Sequence, residues 1–177
     1  MLKQYLGQLV VMYRACGNSI HGYSSLEEFV LRHGREFAWE KRGRIVKDVE
    51  PNQCFMNAAK LALDTGLTYV EGFAVAAPAP IAVQHAWCVL DGLVIDPTWD
   101  AEALLVGARS YFGIPIRTEY LRETLLRREI WGVMDDWQGG YPMLSVPPSE
   151  WLDERVKSGP GVKLARGGRK NGKAAVA

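Results

Sequence analysis

The sequence predicts an α+β fold in which a cysteine-bearing helix packs on an antiparallel sheet, with further helices flanking them. Three observations carry this reading. First, Gln53 to Leu63 is rich in alanine and leucine and lies between Pro51-Asn52 and Gly66. Those flanks are helix start and stop signals, with Asn52 suited to the N-cap. Second, the apolar runs Tyr69 to Val75 and about Ala82 to Leu90 read as strands, separated by Pro78-Ala79-Pro80. Third, Asp91-Gly92 tolerates the positive φ that a two-residue hairpin turn requires at both positions. Leu93 to Asp96 therefore returns antiparallel to the strand before it.

The flanking elements follow in order. Leu2, Tyr5, Leu6, Leu9, Val10 and Tyr13 recur at helical spacing and give a first helix that stops near Gly17-Asn18. Ser25-Leu26-Glu27-Glu28 has the spacing of a capping box, in which hydroxyl and carboxylate satisfy each other's free backbone N–H groups. It opens a short helix ending at His33-Gly34. Residues 35 to 50 are mixed and charged, an irregular or edge segment. Beyond the hairpin, Ala101 to Ala108 reads as a short helix and Ser110 to Ile116 as extended chain. Thr118 caps a helix reaching Trp131, Trp137 to Pro148 forms a Gly/Pro loop, and Ser149 to Val156 makes a last short helix.

Composition bounds the function. With 177 residues, 48% from the hydrophobic set and 23% charged, the chain suits one globular domain over 1–157. Lys and Arg number 21 against 20 Asp and Glu, but five bases and no acid fall after Lys157. An acidic body argues against a nucleic-acid-binding core, so any such contact would be weak and made through the basic tail, 158–177. That tail lacks aromatic residues and reads as disordered. Gln4, Gly7 and Gln8 interrupt the apolar start, and the longest weakly polar run, Gly72 to Val83, holds two prolines. Neither resembles a signal peptide or a membrane span, and three scattered cysteines form no disulfide framework. A cytoplasmic protein without a membrane partner is the expectation.

Chemistry concentrates on Cys54, His85 and Asp96. If Asp91-Gly92 makes a two-residue turn, Asp96 lies opposite Trp87 and shares a sheet face with His85. It is then a diagonal neighbour of His85, at a Cα separation of about 7–8 Å. A three-residue turn would send Asp96 to the other face. An Asp–His hydrogen bond fixes the imidazole tautomer and leaves its second nitrogen to take a thiol proton. Cys54, in the first turn of its helix, meets amides and a dipole that favour a thiolate. The same amides would supply part of an oxyanion hole, with the Gln53 side chain, then Asn52, as further donors. Each residue also has a plain structural reading: a small buried hydrophobe, a core histidine, a turn-starting aspartate. Trp87 and Trp99 would line a substrate groove or lie in the core.

The pieces Gln53-Cys54-Phe55-Met56-Asn57-Ala58, His85-Ala86-Trp87 and Val94-Ile95-Asp96-Pro97-Thr98-Trp99 resemble, in order and wording, transglutaminase-like and papain-like cysteine enzymes. A Tyr-Phe-Gly-Ile segment, Tyr111 to Ile114, is also similar to one in bacterial and phage proteins carrying such a module. The likeness spans about 40% of the chain, Val46 to Ile116. It implies a papain-like or transglutaminase-like core, with Cys54 as nucleophile, His85 as general base and acid, and Asp96 as orienting group. The family's side-chain oxyanion donor has no clear counterpart. The implied reaction is acyl chemistry on an amide or peptide bond of a protein or peptide substrate, by hydrolysis or by transfer to an amine, without a cofactor. The alternative is an inactive protein-binding module of the same fold. A metal site is not expected: His85 and Cys88, three apart on a strand, face opposite ways, and Cys16, His21 and His33 lack ligand spacing. Cys88 reads as a core residue.

Overall fold

The structure, a computed structural model, describes residues 1–40, 48–77, 79–101 and 107–156. Its elements in chain order are helices α1 (Leu2–Ala15) and α2 (Leu26–His33), strand β1 (Arg35–Phe37), helix α3 (Cys54–Thr65) and strands β2 (Thr68–Ala76), β3 (Ala79–Leu90) and β4 (Leu93–Ile95). Helix α4 (Pro97–Ala101), strand β5 (Arg109–Ile116), helix α5 (Thr118–Arg128) and helix α6 (Pro148–Trp151) complete them. The strands form one sheet in the order β1-β5-β2-β3-β4, every pair antiparallel. The expected α+β class is what the chain adopts.

The hairpin has the expected two-residue turn. Asp91 and Gly92 take φ of 51° and 79°, and Cys88 pairs with Ile95 and Val89 with Val94. Alternation along the strands then sorts side chains onto two faces. On one lie Tyr69, Phe73, Ala86, Cys88, Phe112 and Ile114, packed under Leu6, Phe29, Ala58, Ala62 and Leu121 of the helices. On the other a smaller cluster forms from Phe37, Val70, Ala74, Trp87, Val89, Val94 and Tyr111, with Trp39 and Trp99 against it. At the centre Gly72 faces Gly113 across the β2–β5 ladder and His85 across the β2–β3 ladder. A Cβ on Gly113 would stand 2.6 Å from both the Glu71 carbonyl oxygen and the Trp87 ring. Glycine there lets the aromatic layer lie close on the sheet.

Several expectations need correction. Asn52 does not cap α3: it adopts a left-handed φ of 60° in the preceding turn, and Gln53 occupies the cap without a side-chain cap bond. Only half the capping box forms. Ser25 accepts from the Glu28 amide, whereas the Glu28 carboxylate accepts from the amide and hydroxyl of Ser24 and pairs with Arg14 and Arg32. Two basic partners explain the reorientation, and the Arg14 bond, with those from Ser24, holds the Glu28 carboxyl down at about 2. The helix after the hairpin begins at Pro97 rather than Ala101, while 102–106 lie outside the described residues. Arg117, not Thr118, precedes α5, which stops at Arg128 because Glu129 turns left-handed, and α6 ends at Trp151. The expected loop before it contains a 3₁₀ turn, Pro142–Ser145. The expected tail, 158–177, also lies outside the described residues. Among the described residues no helix is long and apolar enough to cross a membrane.

Candidate active site

Cys54 opens α3 and stays partly exposed while the helix beyond it, at Ala58 and Ala62, is fully buried. The first turn is tied down by Asn57. Its side chain exchanges hydrogen bonds with the Glu50 backbone and donates to the Thr98 hydroxyl at 3.0 Å. That last bond joins the start of α3 to the start of α4, where Asp96 sits.

Asp96 is wholly buried and fully bonded. Its Oδ1 accepts from the amides of Thr98 and Trp99 at 3.1 and 3.0 Å, an N-cap arrangement for α4 with Pro97 in the favoured position after it. Its Oδ2 accepts from the Tyr111 hydroxyl at 2.9 Å and bonds His85 Nε2 at 2.7 Å. Because an ionised carboxylate only accepts, Nε2 carries the proton. Burial raises the aspartate's proton affinity, but the facing imidazole, the Trp99 amide and the Tyr111 hydroxyl outweigh it and hold the group below the ordinary range.

His85 is 2% exposed. Trp99 stacks on its ring with centroids 4.1 Å apart and planes 21° apart; Trp87 and Tyr111 lie beyond, at 6.3 and 6.4 Å. Burial alone would drive the imidazole toward neutrality. The charge and hydrogen bond of Asp96 prevail, Cys54 adds a hydrogen bond and its charge, and the ring is pushed up to about 9. The imidazole thus holds Asp96 with Nε2, which leaves Nδ1 outside that bond.

The structure therefore brings Cys54, His85 and Asp96 together. Gln53 and Asn52 sit exposed just before Cys54, and no side-chain bond from Gln53 caps the helix. Trp87 does not reach a substrate surface. It is fully enclosed between Phe37 and Tyr111 and over Gly113, so Trp99 is the aromatic residue at the imidazole. Cys88 donates to the Ala58 carbonyl at 3.2 Å, and burial, then the charge of Asp96, pushes its thiol far up. Among the described residues no three His, Cys, Asp or Glu are placed to hold a metal.

From the sequence Trp99 reads only as groove or core, beside Trp87, and Tyr111 has no role. Asp96-Pro97 carried a signal for Trp99: an N-cap residue followed by proline opens a helix, which turns the third residue after the cap back over the hairpin. Tyr111 enters only as the first residue of the Tyr-Phe-Gly-Ile resemblance; nothing local aims it at Asp96, which it reaches from β5, across β2. No family model, curated protein or solved structure matches the chain.

Proposed function

We propose that the protein is a thiol-dependent hydrolase acting on an amide or peptide bond of a protein or peptide substrate through Cys54, His85 and Asp96. The observation supporting this reading most directly is the imidazole held between two partners. A buried carboxylate fixes Nε2–H, and the Cys54 thiol at a helix start acts on the same ring; in this reading it meets the remaining nitrogen. The order of these residues is that of the transglutaminase-like and papain-like enzymes.

The chemistry follows from that arrangement. With His85 already holding its proton near neutral pH, Cys54 Sγ attacks as the thiolate of the pair on the carbonyl carbon, whose π pair moves onto oxygen. First-turn amides, which have no acceptor one turn back within the helix, face the developing oxyanion. As the C–N bond breaks, His85 gives its proton to the departing amine and a thioester remains. Water then attacks the thioester, His85 takes its proton, and the C–S bond breaks so that Cys54 leaves as the thiolate beside the protonated imidazole.

The test is intact-mass profiling with acyl- and peptide-based thiol probes on the wild type and Cys54→Ala. An adduct confined to the wild type is expected, together with haloacetamide labelling at Cys54 much faster than at Cys16 or Cys88 near neutral pH. The same adducts on Cys54→Ala, or equal labelling of the three thiols, would leave a binding module of the same shape. Adding a primary amine to the reaction separates hydrolysis from transfer, since only transfer gives an amine-capped product.

A further inference from the structure

We infer that Tyr111 is a positioning residue of this site, one whose hydroxyl shares the Asp96 oxygen that holds His85 and so sets how tightly the imidazole keeps its proton. The inference rests on the reading of Cys54, His85 and Asp96 as a working unit, and extends that unit by two residues.

The geometry is a continuous chain. Arg109 Nη1 pairs with Asp100 Oδ1 at 2.6 Å and Nη2 donates to the Trp99 carbonyl at 2.9 Å. The guanidinium also lies over the Trp39 ring at 4.7 Å and acts on the Tyr111 oxygen through charge and a hydrogen bond. Tyr111, 2% exposed, donates at 2.9 Å to the Asp96 oxygen that accepts from His85 at 2.7 Å. One oxygen therefore serves two donors. What Tyr111 draws from that oxygen is not available to the imidazole, because a hydrogen bond disperses the negative charge it meets.

Among the described residues, few groups face His85. Cys54 approaches from α3, Asp96 from the end of the hairpin and Tyr111 from β5, while Asp100 and Arg109 stand one step behind them and pair with each other. Trp87 and Trp99 contribute rings without charge. On β2 the partner of His85 is Gly72, and the neighbouring Glu71 points to the helix face. Of the bonds on Asp96 Oδ2, the one from Tyr111 can be removed without touching the thiol, the imidazole or the carboxylate. Arg109, by holding both Trp99 and Tyr111, keeps the phenol aimed.

The full chain with ring-labelled histidine reports this directly by NMR, since His21 and His33 serve as internal references. Tyr111→Phe is expected to raise the His85 titration midpoint by roughly 0.5–1 pH unit, a fraction of what a hydrogen bond to a charged group is worth. Incorporation of 3-fluorotyrosine at position 111, a stronger donor of nearly the same shape, should lower it. Opposite shifts would not arise from loosened packing. A folded Tyr111→Phe protein with an unmoved or lowered midpoint overturns the inference. If that variant does not fold, failure of the fluorinated protein to shift downward overturns it equally. Haloacetamide labelling of the same samples keeps the two ideas apart: slow Cys54 in the wild type defeats the thiol reading, whereas fast Cys54 with an unmoved His85 defeats only the role of Tyr111.

Discussion

Among the described residues Glu71, on β2, and Asp96, just beyond β4, are both fully buried carboxylates, and each takes about the same set of bonds. Glu71, in β2 on the helix face, accepts from the Tyr69 hydroxyl at 2.7 Å and from the amides of Val133, Met134 and Asp135. Asp96, beside the smaller cluster, accepts from one tyrosine hydroxyl, two amides and an imidazole. Yet they titrate in opposite directions. Burial holds Glu71 above the ordinary glutamate range against all its bonds, while Asp96 is held below the aspartate range. The number of donors is not what differs. Glu71 has only neutral partners; Asp96 faces a group that carries charge. A buried carboxylate met by neutral dipoles can fasten a loop, whereas one met by an imidazole can control a proton.

The largest expected effect breaks the charged side of this contrast. Asp96→Asn keeps an oxygen for the Thr98 and Trp99 amides but presents an amide to His85 Nε2, reversing the tautomer and turning an N–H toward Cys54. On the proposed function, turnover of an acyl or peptide substrate should fall by up to roughly 10⁴-fold. The pH dependence of folding should change with it. His85 is raised from 6.5 to about 9, so it stabilises the wild type fully below about pH 6.5. That contribution, roughly 3 kcal/mol at most, disappears as the pH rises through about 9. Urea titrations between those limits should show this decline in wild type and lose it in Asp96→Asn. A variant that kept both activity and decline would show that the carboxylate does not govern the ring.

Glu71→Gln tests the neutral side and should leave the chemistry alone. One end of the amide meets backbone N–H groups with a donor instead of an acceptor. A buried group left unsatisfied costs about 1–3 kcal/mol, to be read as lost stability in urea at pH 7. Labelling at Cys54 is expected to survive in the folded protein. The acid behaviour carries the opposite sign from that of Asp96. A carboxyl raised in the native state contributes stability that is full below its unfolded value and is lost as pH rises through the folded one. Asp96, being lowered, contributes stability that is lost in acid. The gap between wild type and Glu71→Gln should therefore widen as the pH falls, and a constant gap would mean that Glu71 does not titrate against folding.

The same contrast explains what could be read from the sequence. The register that places Asp96 beside His85 follows from two residues, Asp91 and Gly92, since turn geometry is decided locally and strand alternation carries it outward. The position of Cys54 at a helix start was legible for the same reason, although Pro51-Asn52 makes a turn and shifts the cap to Gln53. Trp87 was the wrong aromatic because alternation gives a face, not a depth, and the cluster on that face closes over it. Tyr111 and the loop fastened by Glu71 come from distant parts of the chain. Their partners are chosen by the order β5-β2-β3 and by the fold of residues 131–136, which no local pattern encodes. The Asp96–His85 site was half visible in sequence, and the loop anchor was not visible at all.

Tyr69→Phe offers the smallest effect and the sharpest control, because it is the counterpart of Tyr111→Phe on the other carboxylate. It removes one donor from Glu71 Oε1 and leaves three backbone amides in place. The cost should be about 1 kcal/mol near neutral pH, the usual net worth of one such bond. It should shrink toward pH 4, because the protonated carboxyl needs the donor less than the anion does. His85 should titrate as in the wild type, since Tyr69 and Glu71 lie on the helix face. If Tyr69→Phe shifted His85 as far as Tyr111→Phe does, the two carboxylates would belong to one network, and the division between loop anchor and proton control would fail.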